Sequence, residues 1–382
     1  MLDKSDDIDV IVIGGDHHNT LAVIRSFYKH KINFKILIHS KTLEKKDIRI
    51  AYSKCAQKID IVYQETKKIL EYLQKNIKVN KKIYLFPCSD FAAYTIDLYY
   101  EILNKNYIFP AFRNKPGNII KLMNKYNQKE WAEKNDIPMA KTWSININYN
   151  NDDILKQIIF PCILKPEISA YGDKNDIRIC NNRKELYKAI EEFKVKKYEI
   201  ILIQKFLKKK YEVCSLGCIL ENNIIKSSIK KIREYPPDGG GSLAFAKFIE
   251  DEQINALLEK ILGKLKDEGY TGFFDIEFLV CEDKIYLNEI NFRHSGNGYA
   301  LIENGIDAPF LWYKYLMKKE KIETEYKRKE FYFMDETNEL KLFKIKRINI
   351  FELMKDIVKT NAFARFNLRD IKVMYAYLKL KN

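Results

Sequence analysis

The chain of 382 residues predicts an α/β domain joined to an α+β unit, with an open parallel sheet first and antiparallel sheets after it. Three observations predict this. Apolar strands alternate with helical patterns up to residue 110, as in βαβ units. From 158 to 293 the chain runs strand after strand with few helices between them. Hydrophobic residues make up 46% and charged residues 31%, enough apolar side chain for a sizeable core and too much for wholesale disorder.

The elements follow in order. Asp9-Val10-Ile11-Val12-Ile13 is a buried strand ending in Gly14-Gly15. A helical pattern of Leu21, Val23, Ile24 and Phe27 comes next, then a second strand, Phe34-Lys35-Ile36-Leu37-Ile38. A helix over 66–77 leads into Ile83-Tyr84-Leu85-Phe86-Pro87. Gly14-Gly15-Asp16-His17-His18-Asn19 lacks the third glycine of a dinucleotide fingerprint and reads as a tight strand-to-helix turn. Phe109-Pro110 to Pro116-Gly117 marks a boundary, and a single polar helix is expected over 118–135. Strands are expected at 158–166, 199–207, 212–220, 224–231, 273–281 and 284–290, with one helix over 251–267. The resulting division is 1–110, 111–317 with lobes of about 118–207 and 208–317, and a basic extension over 318–382.

The formal charge of +15 raises the question of nucleic acid. From Lys341 onward there are eleven Lys/Arg against three Asp/Glu, a net +8. Over half of the excess therefore belongs to the tail, and no basic run interleaved with aromatics marks an RNA-binding module. No nucleic-acid partner is expected. Leu353, Met354, Ile357 and Val358 recur at helical spacing in that tail, which suits either packing on the body or a peripheral membrane contact. Seven scattered cysteines without a CxxC pair read as buried free thiols. The acidic first residues lack the basic start of a signal peptide, so a cytoplasmic protein is expected.

Four features carry chemistry. Phe273-Phe274-Asp275-Ile276-Glu277-Phe278 and Leu287-Asn288-Glu289-Ile290-Asn291-Phe292-Arg293 read as a hairpin. Asp275, Glu277, Glu289 and Asn291 occupy alternate positions, so each pair projects from one face of its strand. Acids among Phe, Ile and Leu are costly unless a cation is present, and hard oxygen donors suit Mg²⁺ completed by phosphate and water. Arg293 is placed to hold a phosphate oxygen. Lys165 closes the buried strand Phe160-Pro161-Cys162-Ile163-Leu164, suited to a nucleotide phosphate. Ile201-Leu202-Ile203-Gln204-Lys205-Phe206-Leu207 offers strand backbone to an adenine edge. Arg233 to Ser242, with Gly239-Gly240-Gly241, is either an anion-cradling loop or a plain hairpin connection.

The order of Lys125, the FPCILKP strand with Lys165, ILIQKFL, a Gly-rich loop and FDIEFLV…KIYLNEINFR resembles the ATP-grasp enzymes over roughly residues 8–315. The closing EINFR matches the family's E-x-N-P-R with Phe292 in place of proline. The likeness is greatest to the carboxylate–amine ligase branch related to carbamoyl-phosphate synthase and D-aspartate ligases, to which Pro87-Cys88-Ser89-Asp90 also points. It implies a pre-ATP-grasp α/β domain followed by a two-lobed ATP-grasp fold. Lys125 and Lys165 would hold ATP phosphates. Gln204 would replace the usual hinge glutamate beside adenine, Lys205 and Leu207 would offer backbone contacts, and Glu212 would bind ribose. Glu277, Glu289 and Asn291 would ligate Mg²⁺, with Mn²⁺ as substitute; Asp275 shares their face but receives no ligand role.

Arg293, with Lys165, would stabilise the transferred phosphoryl group, and Arg233 with Gly239, Gly240, Gly241 and Ser242 would close over the intermediate. The implied activity is ATP-dependent ligation of a small carboxylate to an amine through an acylphosphate, releasing ADP and phosphate, by an enzyme that is a homodimer in many similar cases. Two alternatives stay open: a nucleotide-binding scaffold without catalysis, and a nucleic-acid-binding protein.

Overall fold

The computed structural model describes residues 8–77, 81–167, 177–237, 240–282, 284–318, 326–328 and 330–380. Strands β1 (Val10–Gly14), β2 (Phe34–Ser40), β3 (Ile59–Tyr63), β4 (Ile83–Pro87) and β5 (Tyr107–Ile108) form a parallel sheet in the order β3-β2-β1-β4-β5. Helices α1 (His18–Lys29), α2 (Thr66–Lys75), α3 (Asp90–Leu98) and α4 (Tyr100–Leu103) lie between these strands. Strand order reverses between β1 and β4, so a crevice opens at their carboxyl ends, where open α/β sheets hold ligands. Gly14 makes the crevice floor compact: a Cβ there would meet Thr20 Oγ1 at 2.3 Å and Cys88 Cβ at 2.9 Å.

After β6 (Ala111–Phe112), the single helix expected over 118–135 is two helices, α5 (Asn118–Met123) and α6 (Lys125–Lys134). Asn124 breaks them. Its side chain accepts from the backbone N–H groups of Tyr126 and Asn127, ending one helix and capping the next. Lys125 is thereby set on the first turn of α6.

The next unit is a four-stranded antiparallel sheet of β7 (Thr142–Asn146), β8 (Cys162–Pro166), β9 (Arg178–Cys180) and β10 (Ile200–Lys205), in the order β7-β10-β8-β9. Helices α7 (Asp152–Lys156) and α8 (Arg183–Val195) pack Leu155, Leu186 and Phe193 against it. The chain then crosses over residues 206–210 to a larger sheet. Its strands are β11 (Tyr211–Ile219), β12 (Ile224–Tyr235), β13 (Ser242–Ile249), β14 (Tyr270–Val280) and β15 (Ile285–Asn291), with α9 (Glu252–Asp267) packed on one face. β13 and α8 were not expected from the sequence pattern.

The C-terminal part is not a free extension. After α10 (Gly298–Glu303) and α11 (Ala308–Lys318), strands β16 (Tyr332–Met334) and β17 (Ala362–Phe363) complete the large sheet in the order β15-β14-β11-β12-β13-β16-β17, and β6 pairs with β14. Helices α12 (Glu336–Lys344), α13 (Ile350–Lys359) and α14 (Ile371–Lys379) surround that edge. Asp370 accepts from Arg25 at 3.0 Å and from Ser53 at 2.8 Å, tying the segment to the first domain. One face of the large sheet packs on α9 and α6 through Phe274, Ile276 and Phe278; the other meets the first domain through Cys214, Leu216 and Phe273. No helix among the described residues is long and apolar enough to cross a membrane.

Candidate functional site

The acidic hairpin is built as a bulged ladder. Glu277 pairs in register with Glu289 and Asp275 with Asn291, while the next pair is Phe278 with Leu287. The extra residue is Asn288. Leu287 and Glu289 would share a face in a regular strand, yet Leu287 packs in the α9-side core beside Phe278 while Glu289 lies opposite Glu277. The bulge flips the strand so that leucine and carboxylate both find suitable surroundings. Asn288 Nδ2 donates to Glu277 Oε2 at 3.3 Å.

Two lysines converge on this hairpin. Lys125 Nζ lies 3.5 Å from Glu289 Oε2. Lys165, on β8, donates to Gln204 Oε1 on the neighbouring β10 at 2.9 Å, and Gln204 Nε2 donates to Thr142 Oγ1 at 2.9 Å. Burial, aided by the positive charge of Lys125 and opposed by Glu289, lowers the Lys165 pKa to about 7. The Lys231 ammonium, ahead of Arg293 and Lys125, holds the Glu277 carboxyl below its ordinary value despite burial. Lys125, Lys165 and Lys231 thus gather around Glu277 and Glu289 between the two sheets, with Lys231 shared by Glu212.

Arg293 links this cluster to the first domain. Its Nη1 donates to Asp275 Oδ2 at 2.7 Å and its Nε to Asp90 Oδ1 at 3.1 Å. Burial disfavours the guanidinium charge, but Asp90 and Asp275 outweigh it and raise its pKa. Beyond Arg293 the crevice between β1 and β4 gathers four of the five histidines in the sequence: His17, His18, His39 and His294. Burial keeps His18, His39 and His294 neutral, lowering His39 to about 4 and His294 to about 3 and pushing His18 down, while His17 is exposed. Arg365 Nη2 lies 3.0 Å from His18 Nδ1, and its Nη1 donates to Asp335 Oδ1 at 2.6 Å. Asp275 Oδ1, His294 Nδ1, His39 Nδ1 and Arg365 Nε are buried with no hydrogen-bond partner. Polar atoms in that condition are costly unless a small polar molecule completes them.

A third patch lies where the chain has crossed between the sheets. Glu212 is buried with both carboxylate oxygens taken, by Lys209 and Lys231 at 2.5 Å each. A cleft of about 520 Å³ is lined here by Lys209, Glu212, Lys231, Arg233, Asp356 and Lys359. Arg233 is engaged elsewhere than in a loop over the hairpin: it donates to both oxygens of Glu339 at 2.9 and 3.1 Å and to Asp356 at 2.5 Å. Gly239 lies outside the described residues. Gly240 has φ +71°, and Gly241 is confined by backbone, since a Cβ would meet Pro236 O at 2.2 Å. Ser242 opens β13 and is exposed. Lys205 has its backbone N–H bound to Lys141 O at 2.8 Å, and Leu207 follows half-buried.

For a divalent cation the donor chemistry fits. Glu277 and Glu289 face each other as hard oxygen donors, Asn291 stands in the adjacent register, and the orphaned Asp275 Oδ1 lies beside them. Among the described residues no three His, Cys, Asp or Glu side chains form a metal cluster by themselves. Two carboxylates with an amide leave positions for phosphate and water, the usual habit of Mg²⁺.

Sequence reasoning missed Lys231, Arg365, the histidine crevice and Gln128. Lys231 continues the face of the buried Ile225 and Ile229, a signal present in the strand's alternation. Arg365 stands within Ala362-Phe363-Ala364-Arg365-Phe366, where it was hidden in a tail counted as basic. Gln128 had no local signal.

Comparison with known proteins agrees with this architecture. Residues 130–304 match the ATP-grasp domain family. The large chain of carbamoyl phosphate synthase from Saccharolobus solfataricus is 24% identical over 167 residues, 40% of this chain but only 16% of that longer protein. Among solved structures, carboxyaminoimidazole ribonucleotide synthase from Aspergillus clavatus, complexed with ATP, superposes with a TM-score of 0.64 at 16% identity, covering 85% of this chain and 81% of the other. L-amino acid ligase from Bacillus licheniformis gives a TM-score of 0.59 at 13% identity, covering 81% and 74%.

Proposed function

We propose that this chain, which carries an ATP-grasp domain over residues 130–304, is an ATP-dependent ligase that joins a small carboxylate to an amine. The observation that carries the reading is the meeting of Lys125, Lys165 and Arg293 with Glu277 and Glu289 between the two sheets.

Bound Mg²⁺, held by Glu277, Glu289 and Asn291, would neutralise phosphate charge beside the hairpin. Lys125 and Lys165 would bind the phosphate chain, and Gln204 with the backbone at Lys205 and Leu207 would take the adenine edge. Glu212 would accept from the ribose hydroxyls once the nucleotide displaces Lys209 from its Oε1. The acid substrate would enter the crevice of β1 and β4, where the unpartnered Arg365 Nε and the Arg293 guanidinium offer donors and the buried neutral His18, His39 and His294 shape the walls. A carboxylate resists attack because of its own charge. Phosphorylation by ATP gives an acylphosphate and ADP; the amine then attacks the carbonyl and expels phosphate. Arg293 would steady the charge that builds on the transferred group and on the tetrahedral oxygen.

The relatives named above support this class. A phosphate-release screen of amino-acid and polyamine pairs with Mg-ATP tests it. Release that requires both an acid and an amine supports ligation. ATP binding with no release in any pair would leave a nucleotide-binding scaffold instead.

A further inference from the structure

Helix α13 buries only Leu353 and Asp356. Its apolar residues Ile350, Phe351, Met354, Ile357 and Val358 are all exposed, Phe351 by 83% and Val358 by 82%. At helical spacing they fall on one face, spanning roughly a third of the circumference. An amphipathic helix on a folded body normally turns that face inward; here it points out and leaves an exposed apolar patch.

The charge around the patch is predominantly positive. Of the three acids after Lys341, Asp356 pairs with Arg233 and Asp370 with Arg25, while Glu352 caps the helix start, its Oε2 accepting from Asn349 N at 2.8 Å. Lys355 borders the apolar face, and Lys344, Lys346 and Arg347 are exposed just before the helix. A two-fold contact between copies would set these same cations against one another. Anionic lipid attracts each of them, and the apolar side chains would enter the acyl boundary.

We infer that α13 is a peripheral anchor for an anionic membrane surface, lying in the interface with Ile350, Phe351, Met354, Ile357 and Val358 inserted. Asp356 and Lys359 of the same helix line the 520 Å³ cleft, so docking brings the cleft beside the bilayer. The inference stands apart from the ligase reading and is tested without activity.

The test is co-sedimentation of the full chain with vesicles of phosphatidylcholine alone or containing phosphatidylserine. Wild type should pellet with the phosphatidylserine vesicles only, and salt should release it. Phe351→Ser with Val358→Ser should weaken binding at least about tenfold. The thermal melt should be unchanged, since neither side chain is buried. Lys355→Glu should weaken binding while keeping the apolar face. Wild type left in the supernatant of anionic vesicles would overturn the inference. So would a double variant that pellets like wild type, or a wild-type dimer in light scattering that the double variant turns into a monomer, which would assign the face to self-association.

Discussion

Lys165 is the residue on which charge and burial meet. With its pKa lowered to about 7 it is largely neutral at pH 8, whereas in the unfolded chain it titrates near 10.5. The unfolded state therefore binds more protons between those values, and this group's contribution to stability rises with pH from 7 to 10.5. Binding a triphosphate reverses the preference, because an adjacent anion favours the ammonium. ATP binding at pH 8 should then take up close to one proton, seen in calorimetry as an enthalpy that depends on buffer ionisation. Lys165→Met should lose that uptake; an unchanged uptake would place the proton elsewhere. Glu289 is the second residue to test. Glu289→Gln keeps the shape but removes the charge facing Glu277 and Lys125, so turnover should fall by at least ~10²-fold with the melt intact. Full activity in that variant would remove the cation site from the hairpin.

At the scale of elements, α6 and β15 are held together by one amide. Gln128, buried, donates to Leu122 O at 2.9 Å and Ile290 O at 3.0 Å, and accepts from Ile290 N at 2.9 Å. It behaves as a strand partner for the edge strand that carries Glu289, and fixes the first turn of α6 where Lys125 meets that carboxylate. Gln128→Ala should cost about 1–3 kcal/mol by leaving backbone groups unpaired, and raise KM for ATP more than it lowers kcat. A variant that loses stability with KM unchanged would limit Gln128 to a structural part. A second joint fastens α12 and α13 to β12. Glu339 is fully buried against Arg233, so Arg233→Met strands a carboxylate already pushed up by burial and should cost about 3–5 kcal/mol in denaturant unfolding. The strands and the hairpin were legible because their alternation is local. The bulge at Asn288 was not, since it exists only relative to β14.

For the whole molecule, the crevice couples stability to acidity. His18, His39 and His294 are buried and depressed from 6.5 in the folded state. Their contribution is fully present above pH 6.5 and is lost as pH falls towards about 4, because only the unfolded chain takes the protons readily. The buried carboxyls Asp275, Glu336 and Glu339 have raised pKa values and act in the opposite sense. His39→Gln should therefore flatten the decline of melting temperature between pH 6.5 and 4. An unchanged slope would show that the ring is hydrated. The C-terminal segment belongs to the same frame: Arg25 donates to both Asp370 and Arg365 O, with Arg25 and Asp370 almost wholly buried.

The sequence by itself determined the parallel sheet and the antiparallel hairpin, because period and strand ends are properties of neighbouring residues; it offered Lys165, Glu277, Glu289, Asn291 and Arg293 as candidates from their strand positions, and Lys125 through the family resemblance alone. Tertiary structure alone decided that Arg233 serves the C-terminal helices, that Glu212 is clasped by Lys231, that four histidines share one crevice, and that α13 turns its apolar side to solvent. Those outcomes depend on which distant surfaces meet and on the desolvation each meeting imposes, and neither quantity is written in any local run of the chain.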